Sequence, residues 1–143
     1  MVKFLSVPHV VFVFILLAGD VLGCVCPTVM SLEDQISGAL KADDPVFIGR
    51  ITGIVESGGD REVTFRVSEF WSSNIPETFV VLTAALTSSC RYPFQEGNSY
   101  LIFSRYWEGK PRAGLCLITR ELGKASNELK ILGKGKIPQK KKP

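Results

Sequence analysis

The stretch VFIGRITGIVESGGDREVTFRVSEFW, residues 46–71, decides the fold of this chain. Two runs rich in β-branched and aromatic residues flank the sequence SGGD at 57–60, which is typical of a tight turn between antiparallel strands. We therefore predict strands over 46–55 and 61–71. The residues predicted to alternate on one face are Val46, Ile48, Thr52 and Ile54 in the first strand, and Val63, Phe65, Val67 and Glu69 in the second.

Shorter segments on either side complete the predicted domain. Further strands are predicted over 79–82, 99–107 and 115–119, with a Gly/Pro turn over 108–114. Helices are predicted over 31–41, capped by Ser31, and over 124–132, stopped by Gly133. Five short strands with two flanking short helices predict a mainly β domain, built as a small closed or nearly closed barrel.

Composition excludes several classes of protein. The chain has 143 residues, room for one domain, and 45% hydrophobic against 22% charged residues is unlike a disordered chain. Its formal charge of +3 is too small for a dedicated nucleic-acid binder. The charge is uneven, because residues 24–129 sum to −3 and six lysines follow from Lys130 onward. The tail over 134–143 is predicted to be disordered.

The N-terminus has the pattern of a secretory signal peptide. Lys3 precedes an apolar run over 10–18, and the small residue Gly23 stands directly before Cys24. The run is too short for a membrane span and Asp20 interrupts it, so we expect cleavage after residue 23, secretion and no membrane association. An acylated Cys24, as in bacterial lipoproteins, would leave an odd number of cysteines, which argues against that alternative.

Removal of residues 1–23 would also remove His9, the only histidine. A Ser-His-Asp triad, a Cys-His protease site and a histidine-based zinc site are then all excluded. We expect no enzymatic activity and no cofactor.

Four cysteines remain, and in an oxidising compartment an even number indicates disulfides. They are Cys24, Cys26, Cys90 and Cys116. A Cys24–Cys26 bond would close a very small, strained ring. Two connectivities stay open: Cys24–Cys90 with Cys26–Cys116, or Cys24–Cys116 with Cys26–Cys90.

Several motifs together resemble the tissue inhibitors of metalloproteinases, and more broadly the netrin-like module. The resemblance covers about 24–133, with the Cys-x-Cys start as its most specific part. The motifs are Cys24-Val25-Cys26-Pro27, ADDPVFIGR at 42–50, Cys90 ahead of Phe94-x-x-Gly97-x-x-Tyr100-Leu101, Cys116-x-x-Thr119-Arg120, and a helix ending in Leu132-Gly133. It implies a five-stranded barrel of the oligonucleotide/oligosaccharide-binding type and the pairing Cys24–Cys90 with Cys26–Cys116.

The resemblance also implies a function, that of a secreted, monomeric inhibitor of zinc metalloproteinases. The free amine and carbonyl oxygen of Cys24 would chelate the catalytic zinc of the target protease, and Val25 would enter its first primed-side pocket. Cys26 and Pro27 would continue along the cleft. The residues implied to form this inhibitory wedge are Cys24, Val25, Cys26, Pro27, Ser88 and Ser89.

An alternative from another class is a non-inhibitory extracellular-matrix module that binds sulfated glycans. The residues predicted for that role are Lys134, Lys136, Lys140, Lys141 and Lys142.

Trp71 and Trp107 are expected to pack in the core or at the barrel rim rather than to form a binding platform. Compared with the animal inhibitors, we expect neither the third disulfide of their inhibitory domain nor their C-terminal subdomain.

Overall fold

The computed structural model describes residues 23–27, 30–72, 74–85 and 87–140. One seven-stranded sheet dominates it, with the strand order β5-β6-β3-β2-β1-β4-β7. The strands are β1 Val46–Ser57, β2 Asp60–Phe70, β3 Thr78–Ala84, β4 Ser99–Phe103, β5 Arg105–Trp107, β6 Lys110–Arg112 and β7 Thr119–Glu121. The helices are α1 Leu32–Lys41 and α2 Ser126–Leu132, with a 3-10 turn at Leu122–Lys124.

The mainly β class and the two short helices are confirmed, but the prediction of five strands is wrong. The predicted strand over 99–107 is divided at Ser104, whose amide donates to the carbonyl oxygen of Pro45. Proline has no N–H, so the ladder between β1 and β4 ends there. The chain then pairs β5 with β6 across Glu108 and Gly109, which both have positive φ, and of the predicted strand over 115–119 only Thr119 is in a strand.

The sheet is open. Among the described residues, no pairing joins the two ends of the order, β5 and β7. All neighbouring strands are antiparallel except β3 and β6, which are parallel and meet at Leu82 and Arg112.

Two irregularities in the β1–β2 hairpin correct the predicted faces. Ser68 has no opposite residue in the pairing of β2 with β1, because Ile48 pairs with Glu69 and Gly49 pairs with Val67. An extra residue reverses the alternation, so Phe70 rather than Glu69 continues the buried row of β2. Thr52 is likewise an extra residue in β1, and Ile54 packs in the cluster opposite to that of Val46 and Ile48.

Both faces of β4 and of the start of β1, residues 46–48, are buried. Phe47 lies in one apolar cluster, with residues of β2 and β3, whereas its neighbours Val46 and Ile48 lie in a second cluster with Ile36 of α1. Strand β4 divides in the same way. The sheet therefore separates an inner core from a layer covered by the two helices.

The helix boundaries follow the predicted caps. The Ser31 hydroxyl accepts from the Asp34 amide at 3.1 Å, and Gly133 ends α2 with a φ of 66°. No helix in the described ranges is both long and apolar enough to cross a bilayer.

The start of the C-terminal tail departs from the predicted disorder. Lys136 exchanges two backbone hydrogen bonds with Phe70, of 2.8 and 2.7 Å. The Gly135 amide donates to a Glu69 carboxylate oxygen, and the Trp71 indole donates to the carbonyl oxygen of Gly133. These partners lie more than 60 residues away, so local composition carries no sign of them.

Candidate functional site

Two disulfides attach residues 24–27 to two separate loops. Cys24 is bonded to Cys90, in the loop between β3 and β4, and Cys26 is bonded to Cys116, in the loop between β6 and β7. Of the two connectivities that the sequence left open, the structure has the one that the resemblance implies. The C-terminal end of the predicted signal peptide is visible only at Gly23, which is exposed, and residues 1–22 lie outside the described residues.

The attached segment projects into solvent. Val25 is 88% exposed, and Cys26 and Pro27 are also exposed, whereas Cys24 is half-buried. In the described part of the chain, residues 24–27 contact the rest through their sulfur atoms and have no backbone hydrogen bond to another segment. Residues 24–27 thus form a short, exposed segment that is covalently fixed at two points.

The Cys24–Cys90 disulfide brings Ser88 and Ser89 beside the segment over 24–27. Ser88 is half-buried, and its hydroxyl accepts from the Cys90 amide at 3.2 Å, while its own amide donates to the carbonyl oxygen of Ala85. Ser89 is exposed and adjacent to Cys90. All six predicted wedge residues therefore belong to one surface region, formed from both ends of the Cys24–Cys90 bond.

A shallow cleft of about 600 Å³ adjoins this region. Its walls combine Cys24, Cys90 and Cys116 with Trp107 at the end of β5 and Leu115 in the following loop. Trp107 is 65% exposed and Leu115 is 46% exposed. Both side chains are therefore accessible to a binding partner at this cleft.

The prediction that Trp107 packs in the core or rim is therefore wrong, whereas Trp71 packs against the cluster beneath the helices. The sequence predicts Trp107 at the end of one strand, 99–107, and Leu115 at the start of another, 115–119. For that reason neither was identified as a residue of the candidate site. The Glu108-Gly109 pair was the available signal of a hairpin that ends in an exposed tip.

Charges in the cleft are largely compensated. Arg112 donates to both carboxylate oxygens of Asp60, and this hydrogen bonding holds the pKa of Asp60 below its usual value. Arg105 lies 3.8 Å from Asp44. The cleft thus presents apolar and sulfur surface rather than a strong single-sign field.

The cysteine sulfurs are close enough to suggest metal ligation but are chemically unsuited to it. Those of Cys24, Cys26 and Cys116 lie within 4.8 Å of one another. All four cysteines are in disulfides, so they offer no thiolate. The cysteine side chains of this region therefore offer no thiolate ligand to a metal ion.

The predicted glycan-binding lysines lie elsewhere. Lys134, Lys136 and Lys140 are exposed, and Lys136 Nζ stands 5.0 Å from the ring centroid of Phe70. Lys141 and Lys142 lie outside the described residues.

No protein-family model matches this chain, and no curated protein matches it. The function is therefore inferred from the site itself.

Proposed function

We propose that this chain is a secreted inhibitor of zinc metalloendopeptidases and a single-domain relative of the tissue inhibitors of metalloproteinases. The observation that carries the proposal is the position of Cys24, which follows the predicted signal-cleavage site and starts an exposed segment held by two disulfides. Cleavage after Gly23 would convert the Cys24 amide nitrogen into a free α-amine.

A free α-amine and the carbonyl oxygen of the same residue can chelate one metal ion. An α-amine has a reference pKa of about 7.7–8.0, so zinc can displace its proton near neutral pH. A catalytic zinc keeps one position open for water, and occupation of that position by Cys24 would remove the nucleophile of the protease. The sulfur of Cys24 takes no part in this chelation and serves only in the disulfide with Cys90.

The rigidity of the segment supports tight binding. A disordered terminus would lose conformational entropy on entering a protease cleft, whereas residues 24–27 are already fixed at Cys24 and Cys26. Val25, between the two cysteines and 88% exposed, is free to enter a specificity pocket. Pro27 favours an extended path for the residue before it, and Ser88 and Ser89 would contact the unprimed side.

The proposed relationship extends to the fold. We propose that five of the seven strands, β1, β2, β3, β4 and β7, correspond to the five strands of the netrin-like barrel, here in an open sheet and with the β5–β6 hairpin as an addition. The two irregularities at Thr52 and Ser68 support this, because bulges increase the twist and bending that a barrel requires.

The proposed location is extracellular. Two disulfides favour an oxidising compartment, since such bonds rarely persist in the cytosol. The proposed partner is a zinc metalloproteinase bound by a monomer, with no role for nucleic acid or a membrane.

The test compares three forms of the protein against a panel of zinc endopeptidases. The form that begins at Cys24 should inhibit in one-to-one stoichiometry. A form with one alanine before Cys24 has no free amine on that residue and should lose inhibition by several orders of magnitude. A matched form with one alanine added after Pro143 controls for the extra residue.

The outcomes separate mechanism from function. Equal inhibition by the N-terminally extended and C-terminally extended forms would show that the amine does not bind zinc. Absence of inhibition by all three forms across the panel would overturn the proposed function. Mass spectrometry of the secreted protein would establish whether its first residue is Cys24.

The glycan-binding alternative is favoured by one observation, the fixed and exposed positions of Lys134 and Lys136 beside the Phe70 bridge. Retention on heparin should then depend on salt and fall in a Lys134→Gln/Lys136→Gln/Lys140→Gln variant. Truncation after Gly133 is a poorer test, because it would also remove the backbone bonds of Lys136. A Lys41→Gln/Lys110→Gln/Lys124→Gln variant is the control, and equal retention of both variants would exclude this tail as the binding site.

A further inference from the structure

The two disulfides contact each other through sulfur. Cys24 Sγ and Cys116 Sγ lie 3.8 Å apart, although they belong to different bonds. Neither atom carries a proton, so this is a van der Waals contact, for which about 3.5–4.0 Å is usual between heavy atoms. Each sulfur therefore stands beside the atom that it would have to attack if its own bond were opened.

We infer that the four sulfurs of Cys24, Cys90, Cys26 and Cys116 form a thiol–disulfide exchange site. A low-molecular-weight thiol such as glutathione would there cause the Cys24–Cys90 bond to be replaced by a Cys24–Cys116 bond. The inference does not rest on the proposed function. It rests on the contact between sulfurs and on the unequal exposure of the two disulfides.

The exchange starts at the Cys26–Cys116 bond, because both of its residues are exposed while Cys24 and Cys90 are half-buried. The external thiolate attacks Cys26 Sγ, a mixed disulfide forms there, and Cys116 leaves as a thiolate. The Cys116 thiolate then attacks Cys24 Sγ. A Cys24–Cys116 bond forms, the Cys24–Cys90 bond breaks, and Cys90 leaves as a thiolate.

The last step restores two disulfides. The Cys90 thiolate attacks Cys26 Sγ in the mixed disulfide, a Cys26–Cys90 bond forms, and the external thiol is released. Three exchanges transfer no net electrons, so the thiol acts as a catalyst. The product is the second of the two connectivities that the cysteine spacing permits. Residues 24–27 have no backbone hydrogen bond to the rest of the described chain that would oppose the change.

Single cysteine variants test the contact directly, because each leaves one thiol beside the remaining disulfide. In Cys90→Ser the free thiol starts at Cys24, and attack on Cys116 moves it to Cys26. In Cys26→Ser the free thiol starts at Cys116, and attack on Cys24 moves it to Cys90. Both variants should therefore converge on the Cys24–Cys116 bond.

The other two single variants are matched controls. In Cys116→Ser the free thiol is Cys26, whose attack on Cys24 would close the strained Cys24–Cys26 ring. In Cys24→Ser the free thiol is Cys90, and the sulfur that links the two bonds has been removed. Alkylation should label Cys26 and Cys90 respectively, with no shift, because the group of sulfurs that lie within 4.8 Å of one another comprises Cys24, Cys26 and Cys116, and Cys90 reaches Cys26 only after Cys24 has moved to Cys116.

The measurement is alkylation of the folded protein with N-ethylmaleimide, then tandem mass spectrometry without reduction. After tryptic digestion of Cys26→Ser, the fragment over 113–120, which contains Cys116, should be linked to the peptide that contains Cys24. It should take the place of the fragment over 67–91, which contains Cys90. Label that stays on Cys24 in Cys90→Ser and on Cys116 in Cys26→Ser would overturn the inference.

The wild-type chain gives a test that needs no variant to fold. Incubation of the native protein with reduced glutathione and acid quenching should yield an isomer with the Cys24–Cys116 bond. The yield should fall when the protein is first unfolded in urea, where the sulfurs have no fixed neighbours. Absence of that isomer from the native sample, or an equal yield in urea, would also overturn the inference.

Discussion

The two tryptophans occupy opposite environments. Trp71 follows β2, packs against the cluster beneath the helices, and donates its indole N–H to Gly133 at 3.0 Å. Trp107 ends β5 at the cleft and is 65% exposed. One residue type therefore stabilises the fold at one position and forms the surface of the candidate site at the other.

This contrast predicts that the substitution of Trp by Phe changes the free energy of unfolding more at position 71 than at position 107. Trp71→Phe loses a hydrogen bond and packing, and should lower the free energy of unfolding by about 1–3 kcal/mol. Trp107→Phe should change it by no more than about 0.5 kcal/mol. Urea unfolding measures both, and acrylamide quenching should be stronger in Trp71→Phe, which retains only Trp107. Equal quenching of the two variants would contradict the assigned exposures.

Gly135 tests whether the tail is docked on the sheet. A Cβ at this position would lie 2.7 Å from Glu69 Cγ and 2.8 Å from the carbonyl oxygen of Phe70. Gly135→Ala should therefore cost about 1–3 kcal/mol of unfolding free energy through overpacking. Gly123→Ala is the control, because a Cβ there meets nothing within 4 Å. Equal stability of the two variants in urea would mean that the tail is not docked.

At the scale of elements, a bidentate ion pair supplements the few backbone bonds that attach the β5–β6 hairpin to the sheet. Arg112 of β6 donates two hydrogen bonds to Asp60, the first residue of β2, one of them 2.8 Å long. Among the described residues, the pairing of β6 with β3 is limited to Leu82 and Arg112, together with a 2.9 Å hydrogen bond from the Ala113 amide to the carbonyl oxygen of Leu82. The ion pair therefore fixes the orientation of the hairpin that carries Trp107.

The same ion pair predicts a pH dependence. Arg112 lowers the pKa of Asp60 in the folded state, so the contribution is complete above the ordinary value of 3.8 and is lost as pH falls through the lowered pKa. Arg112→Gln should cost about 0.5–1 kcal/mol at pH 7, since both side chains are partly exposed.

Urea unfolding of wild type and Arg112→Gln between pH 7 and pH 2 checks this dependence, and the difference should shrink toward acid pH. Arg105→Gln is the control, because the Arg105 side chain is 68% exposed and its Nε lies 3.8 Å from Asp44 Oδ2. A constant difference across the range for Arg112→Gln would exclude the assigned role of Asp60.

At the scale of the whole molecule, the candidate site is attached to the core without being part of it. Residues 24–27 belong to neither apolar cluster. The disulfides nevertheless span 66 and 90 residues of sequence and so restrict the unfolded chain strongly. Their effect on stability should therefore come mainly from the unfolded state.

A Cys26→Ser/Cys116→Ser variant tests this division. In the chain-entropy account, the free energy of unfolding should fall by about 3–4 kcal/mol. The near-ultraviolet circular dichroism of the aromatic rings in the inner core should be retained, because those rings keep their neighbours, and only the contribution of the removed disulfide itself should be lost. Loss of that signal in the absence of denaturant would mean that the segment over 24–27 is part of the core.

Much of the fold could be predicted from local pattern. The β1–β2 hairpin follows from its alternation and its Gly-Gly turn, and α1 follows from Ser31 and the spacing of its apolar residues. These features involve residues close together in the chain, and their preferences are visible in the letters. The number and position of the cysteines likewise limited the disulfides to two arrangements.

Features that depend on distant partners needed the tertiary structure. Ser68 and Thr52 become extra residues only because of the strand that each faces, and this reverses the side on which Glu69 and Phe70 lie. Pro45 determines where the strand over 99–107 divides, from more than 50 residues away.

The sequence by itself determined a mainly β domain with two short helices, an N-terminal Cys-x-Cys and no histidine beyond position 9. Only the tertiary structure decided which loop each cysteine joins, which tryptophan faces solvent, and that the tail docks at Phe70. The physical reason is range. Turn and cap preferences act within a few residues, whereas the contact between Cys24 and Cys116 exists only after the chain between them has folded.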